Sequence, residues 1–390
     1  MSELCRVFGL SQVLCLQEVQ ENHYREEIRP ALSTLGYSCH YKRRTGRKTD
    51  GCATFFRTRR FSLLRESHVE FFRPAIDVLN RDNVGLVLLL RPVLPPEEGA
   101  DGPRPPSLCV ANTHLLYNPR RGDIKLAQLA LLLAEVDRVS GTAEGRHCPI
   151  ILCGDLNATP NSPLYQLLHN GVLNCHQLPA WKVSGQEQYC GAPHPRTLPF
   201  PLWPDLLGVN DRCQYNSTRP PKVKDRRMYG RQRLLELRYC DCALQRPPNL
   251  LVIKGVTESK PDPEAAAAQP GIFPVLPESL LRMPHLLQHH LQLTSAYTHF
   301  LSAKDRYEVT TFPLGIGSTV DYIFYSAEPV PTCNTNKGLR IFQDGHLKLL
   351  GRLCLLSEDD LWAGQGLPNP FCCSDHLCLL TRFSLDLSAP

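Results

Sequence analysis

The sequence predicts an α/β fold in which two packed β-sheets carry helices on their outer faces. Two observations lead there. Eight short apolar runs rich in Val, Ile, Leu, Phe and Tyr are bounded by polar turns, as buried strands are. Segments with helical spacing fall between those runs and are fewer, which makes two sheets with helices outside the economical packing. With 390 residues, 42% of them hydrophobic and 21% charged, the chain has material for a sizeable core, and global disorder is excluded.

In chain order the strand runs are Val13–Val19, Cys52–Phe56, Val84–Leu90, Leu108–His114, Pro149–Cys153, Val320–Tyr325, Leu347–Leu356 and His376–Leu387. Glu21–Leu35 reads as an amphipathic helix in spite of Pro30. Asp123–Val139 sets Leu126, Leu129, Leu133 and Val136 at helical spacing, with Asp123 as its N-cap. Ser162–His169 forms a shorter helix that Gly171 stops. The 34 prolines gather in Pro92–Pro106 and between Cys175 and Pro284. The first cluster reads as a surface loop between strands. The second reads as a Pro-rich basic insertion at about 175–284 within a single domain covering 1–390.

Composition excludes several classes. The longest clean apolar run, Val84–Leu90, has 7 residues, against the roughly 20 of a membrane span. No basic segment followed by an apolar one opens the chain, so neither a secretory leader nor a membrane partner is expected. Seventeen cysteines, an odd number scattered through apolar runs without paired CxxC motifs, read as reduced core residues of a cytoplasmic or nuclear protein. No GxGxxG, GxxxxGK[ST] or GxSxG is present, which counts against nucleotide-binding folds and the commonest serine hydrolases.

Acidic, amide and imidazole residues recur at or near the ends of the apolar runs. Glu18 closes Val-Leu-Cys-Leu-Gln-Glu, and His114 closes Cys-Val-Ala-Asn-Thr-His. Asp155 and Asn157 follow Ile-Ile-Leu-Cys-Gly, Asp321 sits in Ser-Thr-Val-Asp-Tyr-Ile-Phe, and Asp375-His376 precede Leu-Cys-Leu-Leu. Singly, each is most simply a turn or strand-capping residue. Together, strand ends at one rim of a sandwich converge, and a cluster of carboxylates, an amide and imidazoles suits Mg²⁺ and a phosphate.

Leu16-Gln17-Glu18-Val19, Asn112-Thr113-His114, Gly154-Asp155-Leu156-Asn157, Val320-Asp321-Tyr322-Ile323 and Ser374-Asp375-His376 resemble, in order, the motifs of the endonuclease/exonuclease/phosphatase superfamily. The connecting sequence resembles its deadenylase-like branch, and within that the Angel proteins. The resemblance implies a four-layer sandwich of two mixed sheets flanked by helices, and a Mg²⁺-dependent phosphodiesterase acting on RNA 3′ ends. The reaction implied is either 3′–5′ exoribonuclease cleavage, deadenylase-like, or opening of a 2′,3′-cyclic phosphate. It also implies roles: Glu18 as principal metal ligand, with Asp375 supporting the metal through water. Asp155 would position or deprotonate the attacking water, and Asn157 would donate to the phosphate. His376, oriented by Asp321, would stabilise developing charge, and His114 would assist from the opposite side. Family members open with a strand whose Asn shares the metal. Only 17 residues precede Glu18, and Met1–Gln12 holds no such Asn on a strand, so the expectation is a fold short of its first strand.

The formal charge of +5 is unevenly placed. Lys42, Arg43, Arg44, Arg47 and Lys48 make a run without acids, expected to track an RNA backbone. Arg219–Arg238 holds eight Lys/Arg against Asp225 and Glu236. Within it Tyr229, Leu234 and Leu235 fit Tyr-x4-Leu-hydrophobic, which resembles the docking helix for the translation initiation cap-binding protein 4E. That motif supports an alternative, a catalytically weak adaptor binding mRNA and that partner.

Overall fold

Side chains alternate between the two faces of a strand, and that alternation sorts this chain into layers. The strands are β1 (Val13–Gln20), β2 (Tyr37–Arg43), β3 (Asp50–Arg57), β4 (Phe61–Glu70), β5 (Val84–Pro92), β6 (Leu108–His114), β7 (Ile150–Asp155) and β8 (Val172–Asn174). They continue as β9 (Leu286–Gln288), β10 (Leu293–Ser295), β11 (Phe300–Leu301), β12 (Arg306–Tyr307), β13 (Asp321–Ser326), β14 (Glu328–Pro329), β15 (Phe342–Gln343), β16 (Leu347–Arg352) and β17 (Thr381–Leu385). The helical segments are α1, made of the abutting turns Glu21–His23, Tyr24–Ile28 and Arg29–Thr34, then α2 (Gly122–Ser140), α3 (Pro163–Asn170) and α4 (Glu358–Ala363). This computed structural model describes residues 11–94, 105–191, 196–216, 285–302, 304–312, 315–330, 340–364, 366–370 and 372–387. All fall in one compact unit; a second, Ser217–Met283, lies outside the described residues. No described helix is long and apolar enough to cross a membrane.

A six-stranded mixed sheet runs in the order β10-β13-β7-β6-β5-β4, parallel only between β6 and β7. One of its faces presents Val87, Cys109, Ala111, Ile150, Leu152, Tyr322 and Phe324 to the core that α2 and α3 cover. The other presents Leu86, Leu88, Leu90, Leu108, Val110, Ile151, Ile323 and Tyr325 to a second core. That second core is closed by Val13, Cys15 and Phe56 of the three-stranded sheet β1-β3-β2, and by Leu347 and Phe383 of the β16–β17 ribbon. The opposite faces of β1 and β3, with Leu14, Ala53 and Phe55, pack on Tyr24 and Leu32 of α1. The order helix, sheet, sheet, helix is the predicted sandwich, but only the six-stranded sheet is mixed: both pairings of the three-stranded sheet are antiparallel.

Several boundaries differ from the expectation. β2 and β4 were not among the predicted runs, because Lys42 and Arg43, and Arg65, Glu66, Ser67 and His68, break their apolar character. Leu347–Leu356 is a strand only to Arg352, and His376–Leu387 only over Thr381–Leu385. The described residues 175–191 and 196–216, predicted as the start of the insertion, instead pack Cys175, Val183, Trp203, Val209 and Cys213 into the core beside α2. That covering leaves α2 buried on nearly every side, so the apolar stripe predicted for it does not face a solvent stripe. Asp123 is not its N-cap: Arg121 is, without a side-chain cap bond, and Asp123 lies in the first turn gripped by Arg121. Gly171 stops α3 as predicted, in a left-handed conformation, while Ser162, predicted as its first residue, is its N-cap.

Candidate active site

Strand register assembles the site. β7 pairs with β6 so that Asp155 faces His114, and with β13 so that it faces Asp321. His114, Asp155 and Asp321 thus stand in a row at the ends of three adjacent strands. Each continues the alternation that points Val110, Ile151 and Ile323 between the sheets, so the row opens where the inter-sheet core ends. Gly154 makes this approach possible: at φ 146 a Cβ there would lie 2.0 Å from the Thr113 carbonyl oxygen. His376 comes from beyond α4 and is held where Thr311 bridges to it. Its Nδ1 meets Asp321 Oδ2 at 2.8 Å, the orienting contact expected from the sequence.

Glu18 reaches the same rim through a bulge. The β1–β3 register slips between Leu16 and Val19, and Glu18 takes φ 55, which turns its carboxylate out of the strand. Glu18 Oε1 then lies 3.7 Å from His114 Nδ1. Behind the bulge, buried Asn112 ties the two sheets together. Its amide donates to the Leu16 and Ala53 carbonyls, at 3.1 and 2.9 Å, and accepts from Gln17 at 2.7 Å. Asn157, also left-handed at φ 48, has its amide near His114 Nε2 (3.1 Å), Leu115 O (3.2 Å) and Asp155 Oδ2 (3.3 Å). Its backbone N–H donates to Asp155 Oδ1 at 2.8 Å. Asn157 therefore braces both His114 and Asp155, and a phosphate reaching its amide must displace one of these partners.

Sequence reasoning missed Lys125. It sits in an apolar helical run, where a lysine reads as a solvent-facing residue, yet it is fully buried in α2. Its Nζ donates to the Asn157 carbonyl at 2.5 Å and to Gln186 Oε1 at 3.2 Å, holding the Asn157 turn from behind. Burial draws its ammonium down to about 7, although Asp155 pulls the other way.

Electrostatics mark the row. Burial, and then the charge of Asp321, push Asp155 up to about 8 against the pull of His376, the Asn157 N–H and Lys125. For His376, burial opposes the charged form, but the hydrogen bond and charge of Asp321, helped by Asp155 and Asp375, carry it up to about 9. Burial lowers His114, with Arg44 adding to it and Glu18 opposing. A neutral His114 fits its contacts, since Nε2 is then free to accept from Asn157. Among the described residues, ligand-type atoms of Asp155, Asp321 and His376 lie within 4.8 Å of one another. Two carboxylates this close, one of them buried, form a concentration of negative charge that a hard cation with oxygen ligands relieves. The donor set fits a divalent cation, with Glu18 at the exposed edge. Asp375 is exposed and stays outside that cluster, contributing its charge to His376 and its carbonyl to Thr311.

The basic run is largely neutralised within the fold. Lys42 pairs with Glu70, Arg43 with Glu21, and Arg44 with Asp50. Arg47 and Lys48 are exposed, with no ion pair among the described residues. Arg44 is the member next to the row: its charge bears on His114, and its Nε is buried without a hydrogen-bond partner. Tyr229, Leu234 and Leu235 lie outside the described residues.

This fold and this row of groups define the class: the chain belongs to the Endonuclease/Exonuclease/phosphatase family, whose sequence profile matches residues 1–376. Among particular proteins, it is 55% identical over 381 residues to Protein angel homolog 1 of Homo sapiens, covering 97% of this chain and 56% of that protein. It is 46% identical over 377 residues to Protein angel homolog 2 of Homo sapiens, covering 97% of this chain and 61% of the relative. The chain thus spans a little over half the length of these relatives. A crystal structure of ANGEL2, described as a 2′,3′-cyclic phosphatase, in complex with adenosine-2′,3′-vanadate, superimposes with a TM-score of 0.72. It is 43% identical, covering 99% of this chain and 85% of that one.

Proposed function

We propose that this chain hydrolyses 2′,3′-cyclic phosphate at RNA 3′ ends, using Mg²⁺. The observation that carries the reading is the row His114–Asp155–Asp321–His376 on a fold that matches a 2′,3′-cyclic phosphatase over nearly its whole length. Glu18, Asp155 and Asp321 are the oxygen donors available to the cation, which when bound neutralises phosphate charge and acidifies water. The protein's own groups do the rest. His376, pinned by Asp321 and charged at neutral pH, donates to a phosphoryl oxygen and stabilises charge as the ring opens. Asp155, whose carboxyl burial and Asp321 push up to about 8, positions the attacking water and takes its proton once ionised. Asn157, held by Lys125, keeps Asp155 and neutral His114 in place. Arg44, whose charge reaches His114, is the cation of the basic run that we assign to the substrate phosphate.

The test is incubation with Mg²⁺ of two RNAs, one ending in a 2′,3′-cyclic phosphate and one in a poly(A) tail. The expected result is opening of the cyclic end, slowed about 10²–10⁴-fold in Asp155→Asn, the range for loss of a general base. Shortening of the tail with an untouched cyclic end would instead establish the exoribonuclease. Inertness of both RNAs would leave the adaptor.

A further inference from the structure

Beside the row lies a concave feature that the reaction does not use. The loop after β6 carries Asn118, Arg120 and Arg121, and it faces the turn Ala180–Lys182. Between them, with Arg196, is a cavity of about 290 Å³. Trp181 is half-buried in its wall, with Lys182 Nζ 5.2 Å from the ring centroid. Arg121 grips buried Asp123 with two hydrogen bonds of 2.9 Å, and Arg196 meets the same carboxylate at 3.3 Å. One buried carboxylate thus answers two guanidinium groups. Arg120 is exposed and forms no ion pair among the described residues. With Lys182, the surroundings hold four cations against Asp123 and Glu187, whose charge reaches Cys190 together with that of Arg120.

The cavity is tied to the row. Asn118 is four residues past His114, so their Cα atoms lie no more than about 14 Å apart even along an extended chain. Ser184 Oγ donates to the Pro119 carbonyl at 3.2 Å, and the Ser184 carbonyl accepts from Thr159 N at 2.8 Å, just beyond Asn157. The loops that shape the cavity and the loop that shapes the row therefore brace each other. An indole wall with a net positive, partly unpaired set of guanidinium groups is the chemistry that holds one nucleotide of a single strand. The base stacks on the ring and the phosphate meets the cation, without base-specific contacts being needed.

We propose that this cavity is a subsite for an upstream nucleotide of the RNA, with its base on Trp181 and its phosphate on Arg120. The inference rests on the reading that an RNA 3′ end is the substrate. It implies that the protein prefers a cyclic phosphate at the end of a chain to the same group on a mononucleotide.

The test uses a fluorescein-labelled oligoadenylate hexamer with a 3′-phosphate, binding measured by anisotropy across a salt series, and separately adenosine 2′,3′-cyclic phosphate as a substrate too short to reach the cavity. Trp181→Ala is expected to weaken hexamer binding about tenfold, the loss of one base–aromatic stack, and Trp181→Phe to restore most of it. Arg120→Ala, at an exposed position, is expected to make the slope of log affinity against log salt shallower by about 0.7. Turnover of the mononucleotide is expected to be the same in all three variants. Unchanged hexamer binding and salt slope would overturn the subsite, as would mononucleotide turnover falling in step with hexamer binding. If the wild type opens no cyclic phosphate at all, the catalytic reading fails, while the binding arm still decides the subsite.

Discussion

Replacing Lys125 with methionine separates two effects that the structure sets against each other. Methionine matches the length of the aliphatic stem and removes the amine. The buried Asn157 carbonyl and Gln186 Oε1 lose their donor, a cost of about 1–3 kcal/mol for each acceptor left dry. Against this, the native lysine enters the fold with its ammonium drawn from 10.5 to about 7. At about 1.4 kcal/mol per pH unit, forcing it neutral costs folding about 4 kcal/mol at pH 7. A neutral amine has two N–H donors for these two acceptors, so the native contacts do not need the charge. The sign follows from proton counting. Between pH 7 and 10.5 the unfolded lysine binds a proton that the folded one does not, so wild-type stability rises with pH. From pH 7 to pH 9 that gain is about 2 kcal/mol, and the methionine variant lacks it; Asp155 and His376 titrate in this window in both proteins, so the difference between the two isolates the amine. Urea unfolding of both proteins at pH 7, 8 and 9 in EDTA, followed by tryptophan fluorescence, should show near parity at pH 7 and a wild-type lead of about 2 kcal/mol at pH 9. Parallel pH dependences would refute the buried-amine account. The variant should also lose activity beyond any change in stability, because Asn157 loses its anchor.

Three further outcomes follow from the same geometry. Asp321→Asn removes the partner that raises His376 to about 9. The stabilisation this pair provides is complete below pH 6.5 and disappears as pH rises through 9, so the melting gap from wild type should narrow between pH 6 and pH 10. Discounted for an imidazole one-third exposed, the change is about 2 kcal/mol. Asn112→Ala strips donors from the Leu16 and Ala53 carbonyls, and should cost about 3 kcal/mol in chemical denaturation. We also propose that Tyr229 and Leu234 dock on the cap-binding protein 4E. Tyr229→Ala combined with Leu234→Ala should abolish its recovery in pull-downs, and unchanged recovery would remove that partner.

Much of the site was legible because polar residues at strand ends interrupt otherwise apolar runs. The places of Glu18, His114, Asp155 and Asp321 are visible as such interruptions, and β-strand register then brings three of them into one row. Lys125 was not legible, since helical periodicity cannot tell a solvent-facing lysine from one enclosed when a second layer covers the helix. The cover on α2 comes from residues 175–191 and 196–216, whose prolines resemble those of a loose insertion. Its packing depends on Trp203, Val209 and Cys213 finding long-range partners. The basic run was legible as charge and misleading as surface, because Glu21, Asp50 and Glu70 reach three of its cations from other elements.

By itself the sequence determined the layers and the chemistry, since alternation, caps and residue types act locally. Only the tertiary structure decided which of those groups meet. That His376 crosses to Asp321, that Glu18 leaves its strand at a bulge, and that Trp181 and Arg120 share a cavity depend on segments far apart along the chain. Register and layer packing set those distances, and no local pattern encodes them.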